Sequence, residues 1–322
     1  MAVAEQIKSL IKSFGEGDES RFYATAMQIA ASEARKGHIE LAEELKKLID
    51  KSKSSKSVVK RLPVNAAQKE LNDLLELVSP QIKLKDMVLS GAVKDSLMKV
   101  IHEQRHLDKL LSYNLQPRRK LLLVGPPGSG KTMTAHALAS ELGLPLFVIR
   151  LDGLISRYLG ESIAKLRLIF DAMMDFRAVY LFDEFDSIGS TRSHSQDVGE
   201  IKRVLNTFLL QIEKDRSNSL IIAATNLPGS LDSALFRRFD DIITYENPTS
   251  DQIEKVFRSK FAEIGIGDKI NFKRISELSL GLSHAEIHKI CEDIWKDSLL
   301  YGETEIQEKK VIDYIKARKK DY

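Results

Sequence analysis

Lys120-Leu121-Leu122-Leu123-Val124-Gly125-Pro126-Pro127-Gly128-Ser129-Gly130-Lys131-Thr132 is the stretch from which the rest of the chain can be read. An apolar run long enough for one buried strand ends at Gly125, and helical spacing resumes at Thr132. Between them Gly125, Gly130, Lys131 and Thr132 satisfy G-x-x-x-x-G-K-[ST] in the strand-loop-helix setting the pattern requires. Glycines let the backbone curl so that successive N–H groups face inward on phosphate oxygens. The positive end of the following helix adds to that attraction. Lys131 is placed to reach the outer phosphates and Thr132 to hold Mg²⁺.

Moving outward, apolar runs bounded by turn signals recur at 120–124, 146–151, 179–183, 220–225 and 241–245, with helix-patterned stretches between them. This alternation predicts an α/β core with a five-stranded parallel sheet covered by helices on both faces. Upstream, the apolar spacing of Leu71, Leu74, Leu75 and Val78 predicts one helix and 92–111 another. After Pro248 the pattern is helical only, with interruptions at 265–271 and at Gly281, which predicts a C-terminal helical lid subdomain. The first fifty residues divide into helices at 4–14, 19–36 and 39–50, with Asp18 as a cap and Gly37 as a left-handed stop. Lys51 to Lys60 holds four serines and no acid, a composition that predicts a flexible linker. The expected organisation is a small all-helical domain at 1–50, a basic linker at 51–67, the α/β subdomain at 68–248 and the lid at 249–322.

The 322 residues are 43% apolar and 30% charged, enough for one large core plus a small extra domain. No apolar run is long enough to cross a bilayer, and the N-terminus lacks a charged-then-apolar signal pattern, so the expected location is the cytoplasm without membrane attachment. The single cysteine, Cys291, reads as a core residue. A net charge of +3 is too small an excess to argue for nucleic acid, and the clusters at 51–61 and 316–320 read as solvated linker and tail.

Two further strand ends carry chemistry. Val179-Tyr180-Leu181-Phe182 runs into Asp183-Glu184, at the sheet edge where ligands bind in open α/β folds. Asp183 suits the Mg²⁺ shell, and Glu184 suits orienting and polarising the attacking water. The strand 220–225 ends in Asn226, suited to hydrogen-bonding the γ-phosphate or that water.

With these segments in place, Gly125 to Thr132, Phe182-Asp183-Glu184, Ala224-Thr225-Asn226 and Leu231 to Asp240 occur in the order seen in AAA ATPases. The resemblance covers about 81–314. It implies that the segments correspond to Walker A, Walker B, sensor 1 and the second region of homology, with ATP and Mg²⁺ as cofactors. It extends nucleotide contacts to Pro127, Gly128, Ser129, Gly130, Lys131, Thr132 and Met133. Family members usually form hexameric rings with each ATP at an interface, which implies a homo-oligomer and makes Arg237 and Arg238 candidate arginine fingers. The commoner family pattern has Pro-Gly between its two arginines. Here they are adjacent, as in the microtubule-severing and membrane-scission branch, and pairing of one with Asp240 or Asp241 is the alternative. Gly281 to Glu286 resembles the lid segment against adenine and ribose, with His284 where the family has a small residue.

Tyr158-Leu159-Gly160 resembles the pore loop of protein-threading AAA machines, whose aromatic ring grips polypeptide by contact area. Ser190 to Gly199 reads equally as a second pore loop or as plain surface. The expected function is ATP-driven remodelling of a protein substrate recruited directly or through an adaptor by residues 1–50, with delivery to a separate protease as one fate. The alternatives are a nucleic-acid loader and an ATP-controlled assembly switch. His102-Glu103-Gln104-Arg105-His106 satisfies H-E-x-x-H, the zinc pattern of some metalloproteases, but it precedes Walker A and lacks a clear third ligand, so it reads as a packing helix.

Overall fold

A computed structural model describes residues 8, 19–35, 37–56, 66–154, 159–186, 197–230, 233–264, 270–301 and 306–320. The chain divides into two compact units, 1–62 and 63–322. In the first, helices Glu19–Arg35 and Ile39–Lys56 pack on each other with Thr25, Ala30 and Ile49 buried. Gly37 turns the chain between them at φ +91°, the left-handed stop expected from sequence. The expected helix at 4–14 lies outside the described residues apart from Lys8. The second helix continues six residues into the serine-rich stretch expected as linker. Once a helix is nucleated, each added residue gains a hydrogen bond, and lysine and serine do not stop it.

The second unit is built on a six-stranded sheet in the order β1-β3-β4-β5-β2-β6. The strands are β1 (Leu75–Val78), β2 (Lys120–Val124), β3 (Leu146–Ile149), β4 (Val179–Phe182), β5 (Leu220–Thr225) and β6 (Asp241–Thr244). Five are mutually parallel, as the alternation predicts, and β2, β4 and β5 are buried along their whole length. The sixth corrects the expectation. Helix Ala66–Leu74 stops at Leu74, and Leu75–Val78 pairs antiparallel with β3 at the sheet edge. Spacing alone could not separate a last helical turn from a four-residue strand, because the deciding interaction is made with residues 146–149. The predicted helix 92–111 is likewise two: Gly91–Arg105, capped by Ser90, and Leu107–Ser112, broken at His106.

Leu97, Val100, Leu121, Leu123, Leu138, Leu181, Ile222 and Ala224 share one core beneath the sheet face covered by helices Gly91–Arg105 and Lys131–Leu142. Helices Ser250–Ile264, Phe272–Leu278, His284–Tyr301 and Glu308–Lys320 enclose a second core of Phe257, Phe261, Ile275, Ile287, Ile294 and Val311. At about 1.5–3 kcal/mol for each fully buried large side chain, this lid core is a substantial packing unit in its own right. Cys291 lies inside it, where burial pushes its thiol up to about 12. No described helix is long and apolar enough to cross a membrane.

Candidate functional site

Strand order brings the chemistry together. β5 lies between β2 and β4, with Val124 opposite Thr225 and Phe182 opposite Ala223. The loop after β2, the acids after β4 and the asparagine after β5 therefore meet at one edge.

The loop is tightly folded for local reasons. A Cβ on Gly125 would stand 2.5 Å from the Tyr245 carbonyl oxygen, so only glycine fits there. Gly128 and Gly130 have φ of +72° and +100°, in the left-handed region that other residues avoid. Gly130 caps helix Lys131–Leu142, and its carbonyl accepts from both the amide and the hydroxyl of Thr134. The Thr134 hydroxyl also shares a 2.6 Å hydrogen bond with the phenol of buried Tyr245. Pro127, Gly128, Thr132 and Met133 are exposed, whereas Ser129 and Lys131 are buried.

The Lys131 ammonium donates to the carbonyls of Gly125 and Pro126 and to Asn226 Oδ1, each at 2.8 Å. Burial lowers its pKa, opposed by Asp183 and Asp186. These acceptors, with Ser129 Oγ at 3.5 Å, are all neutral oxygens, leaving the cation without a directly bonded anion among the described residues. The Thr132 hydroxyl donates to Asp183 Oδ2 at 2.7 Å, while Asp183 Oδ1 accepts the Glu184 amide at 2.9 Å. Glu184 sits at φ +48°, a conformation that costs a non-glycine residue about 1–3 kcal/mol. Its side chain is exposed and its carboxylate makes no hydrogen bond among the described residues.

Asp186 is a participant that sequence reading missed. Its Oδ1 accepts the Asn226 amide at 3.0 Å, and Phe185 N–H donates to Ala224 O at 2.8 Å, stitching the end of β4 to the end of β5. Asn226 is thereby held from both sides, by Asp186 at its backbone and by Lys131 at its side chain. The available signal was the second aspartate, three residues after Asp183.

Beside the loop opens a cleft of about 470 Å³ lined by Val88, Leu89, Ser129, Tyr245, Gln252 and His284 among others. Its lid wall is joined to the loop directly, since the Ala285 amide donates to Gly128 O at 3.1 Å. Ser283 and Glu286 fix that wall reciprocally, the Ser283 amide and hydroxyl each donating to Glu286 Oε2 at 2.7 Å. Burial, and then the neighbouring His288, push the His284 pKa down, which favours a neutral imidazole facing the cleft.

Residues 121–247 match the family described as ATPase family associated with various cellular activities (AAA). Over 311 residues the chain is 35% identical to an uncharacterized AAA family ATPase, y4kL, of Sinorhizobium fredii (strain NBRC 101917 / NGR234), covering 96% of this chain and 93% of that one. The chain belongs to the AAA family of ATPases. It is also 35% identical to the katanin p60 ATPase-containing subunit A1 of Strongylocentrotus purpuratus over 188 residues, 55% of this chain and 36% of katanin. To vacuolar protein sorting-associated protein 4 of Dictyostelium discoideum it is 27% identical, over 84% of this chain and 70% of that protein.

In this AAA ATPase the two arginines do not join the other site residues. Asp241 pairs with Leu121 and Thr244 with Val124, so Arg237 and Arg238 precede β6 at the end of the sheet opposite the phosphate loop. Along β2 that separation is about 13 Å. Arg237 is exposed and has no partner among the described residues, whereas Arg238 Nε donates to Glu213 Oε2 at 3.3 Å. Tyr158, and Ser190 to Gln196 of the second candidate loop, lie outside the described residues. Leu159 and Gly160 open helix Leu159–Asp175, and Gly160 is exposed. In the H-E-x-x-H stretch, Glu103 accepts the Arg118 amide at 2.8 Å and pairs with its guanidinium. No described cluster of three or more candidate metal ligands exists there or elsewhere.

Proposed function

We propose that this AAA ATPase assembles as a hexamer and uses ATP hydrolysis to thread and remodel a protein substrate. The observation that carries the reading is the convergence of Lys131, Thr132, Asp183, Glu184 and Asn226 at one sheet edge, with Arg237 and Arg238 at the other. ATP phosphates bind over the loop, where amides from Gly128 to Thr132 and the helix N-terminus attract them. Lys131 exchanges the neutral carbonyls of Gly125 and Pro126 for anionic phosphate oxygens, a stronger, charge-assisted contact. Adenosine fills the adjoining cleft against His284, its volume being within the usual range for such ligands.

Thr132 Oγ1 and Asp183 Oδ2 are hard oxygen donors 2.7 Å apart, so the residues present fit Mg²⁺. When bound, the ion neutralises charge on the phosphates. Glu184 orients and polarises the attacking water, and Asn226, held by Asp186, positions that water or the γ-phosphate. Arginines of a neighbouring protomer compensate the remaining charge, because a chain's own arginines stand at the wrong end of its sheet. Tyr158, Leu159 and Gly160 grip the polypeptide, and residues 1–50 recruit it.

Glu184→Gln tests the hydrolytic part: kcat should fall about 10²–10⁴-fold while ATP still binds. Tyr158→Ala tests threading, with substrates captured by the Glu184→Gln protein from native extract. It should keep ATP hydrolysis and lose remodelling of the captured protein. Full remodelling by that variant would eliminate the threading reading.

A further inference from the structure

Tyr245 meets the phosphate loop at both of its ends. It follows β6, where its amide donates to Val124 O at 2.7 Å and its carbonyl oxygen fills the space that a Cβ on Gly125 would need. Its phenol reaches the other end, 2.6 Å from the Thr134 hydroxyl in the first turn of helix Lys131–Leu142. Tyr245 is 4% exposed and Thr134 0%. This is the phenol's one hydrogen bond among the described residues.

Counting protons gives these contacts a direction. Thr134 has a single hydroxyl proton and donates it to Gly130 O at 3.0 Å, a carbonyl oxygen that only accepts. The Thr134 oxygen is therefore the acceptor for the Tyr245 O–H. Burial, opposed by the bond to Thr134, pushes the Tyr245 phenol up to about 12, so it keeps its proton and stays a donor near neutral pH. The result is a one-way relay from Tyr245 O–H to Thr134 O–H to Gly130 O, with the Thr134 amide as a second donor to that carbonyl at 2.9 Å. Bonds in such a chain polarise one another.

Gly130 O belongs to the same peptide unit as the Lys131 N–H. That unit is planar, with its N–H directed away from its C=O, and the first amides of a helix have no acceptor within it. Gly130, at φ +100°, brings no side chain to hold the peptide in place. The two donors on its carbonyl do so instead, aiming the Lys131 amide away from the relay and strengthening it as a donor.

We infer that Tyr245 is a positioning residue for phosphate binding: acting through Thr134, it fixes and polarises the Gly130–Lys131 peptide so that the Lys131 amide meets the nucleotide. This rests on the reading that ATP phosphates bind over the loop. Residues 246–249 lead from Tyr245 into the first lid helix, Ser250–Ile264, so the same residue ties the loop to the start of the lid.

The experiment compares the full chain with Tyr245→Phe, Thr134→Val, Thr134→Ser, the double variant Tyr245→Phe/Thr134→Val, and Lys131→Ala. Titration calorimetry with ADP and with a non-hydrolysable ATP analogue gives affinities. Steady-state assays give kcat and KM for ATP, and the melting temperature without nucleotide records stability. Tyr245→Phe should weaken both nucleotides about 3–10-fold, the worth of one hydrogen bond, and raise KM by the same factor with kcat changed less than about 2-fold. Thr134→Val should lose about 10-fold or more, since it takes a donor from Gly130 O and leaves the phenol unpaired, whereas Thr134→Ser should stay within about 2-fold of the parent. Thr134 does not line the cleft, so a loss there is not a lost contact with the base. The double variant should bind no more weakly than Thr134→Val, because Tyr245 acts through that hydroxyl.

A lowered melting temperature with unchanged affinities in Tyr245→Phe would overturn the inference, as would losses that add in the double variant. Tyr245→Phe keeps the ring and its packing, so it decides the matter even where Thr134→Val does not fold. Lys131→Ala keeps the two readings apart. If it abolishes binding while Tyr245→Phe binds like the parent, only the relay is wrong. If Lys131→Ala binds both nucleotides as the parent does, the phosphate-loop reading fails and the inference with it.

Discussion

At the scale of single residues, the site depends on positions where a side chain is either excluded or deprived of charge partners. A Cβ on Gly128 would come within 2.8 Å of Ser283 Oγ and 2.9 Å of the Ala285 Cβ. Gly128→Ala should therefore cost about 1–2 kcal/mol for the left-handed backbone, plus displacement of the lid wall. The expected result is a lower melting temperature and weaker nucleotide binding, measured by thermal unfolding and by titration with a fluorescent ATP analogue. His284 and His288 behave differently. Burial is the main cause that lowers both, and the charges facing His288 are Lys260, Glu292 and Glu263. His136 is lowered by burial too, against Asp183. As pH falls below about 6.5, the unfolded chain takes up protons that the folded chain resists, so stability is full above that pH and declines beneath it. His284→Gln should make the fall in urea midpoint between pH 7.5 and 5.5 shallower, and an unchanged slope would rule out His284 as a contributor.

At the scale of elements, the short ties between strand ends and helix ends set the geometry. Arg119 and Asp215 are 8% and 1% exposed, and their pair joins β2 to the segment following helix Asp197–Lys214. Removing one partner leaves a buried charge uncompensated, which typically costs about 3–5 kcal/mol. Asp215→Ala should show that loss in chemical denaturation, and a loss under about 1 kcal/mol would mean that water reaches Arg119. Elements also mark the limit of sequence reading. The phosphate loop was legible because its glycines answer to local backbone torsions, and β2, β4 and β5 were legible because full burial leaves unbroken apolar runs. The strand Leu75–Val78 was not, since only its pairing with Leu146–Ile149 distinguishes it from a helical turn. The different surroundings of Arg237 and Arg238 were illegible for the same reason. The partner that separates them, Glu213, lies 25 residues upstream of Arg238 and meets it only through the fold.

For the whole molecule, the sheet has its phosphate loop and its arginine segment at opposite ends, so under the proposed function one subunit alone lacks a full set of catalytic charges. The per-subunit ATPase rate should therefore climb by at least about 10-fold as protein concentration crosses the assembly range. Steady-state rates measured beside light scattering check this, and a rate independent of concentration across that range would contradict it.

The hydrogen bond from the Ala285 amide to Gly128 O carries a mechanical consequence. Ala285 is the second residue of an 18-residue helix that extends to Tyr301, a rod about 27 Å long. Resting one end of such a rod on the loop makes it a lever with a very short input arm. A tilt of about 10° at Gly128 would sweep the far end, where Leu299 and Leu300 are exposed, through about 4–5 Å, the width of a side chain. Under the proposed assembly, a small adjustment of the loop around a phosphate would reach an adjoining protomer as a displacement of that size.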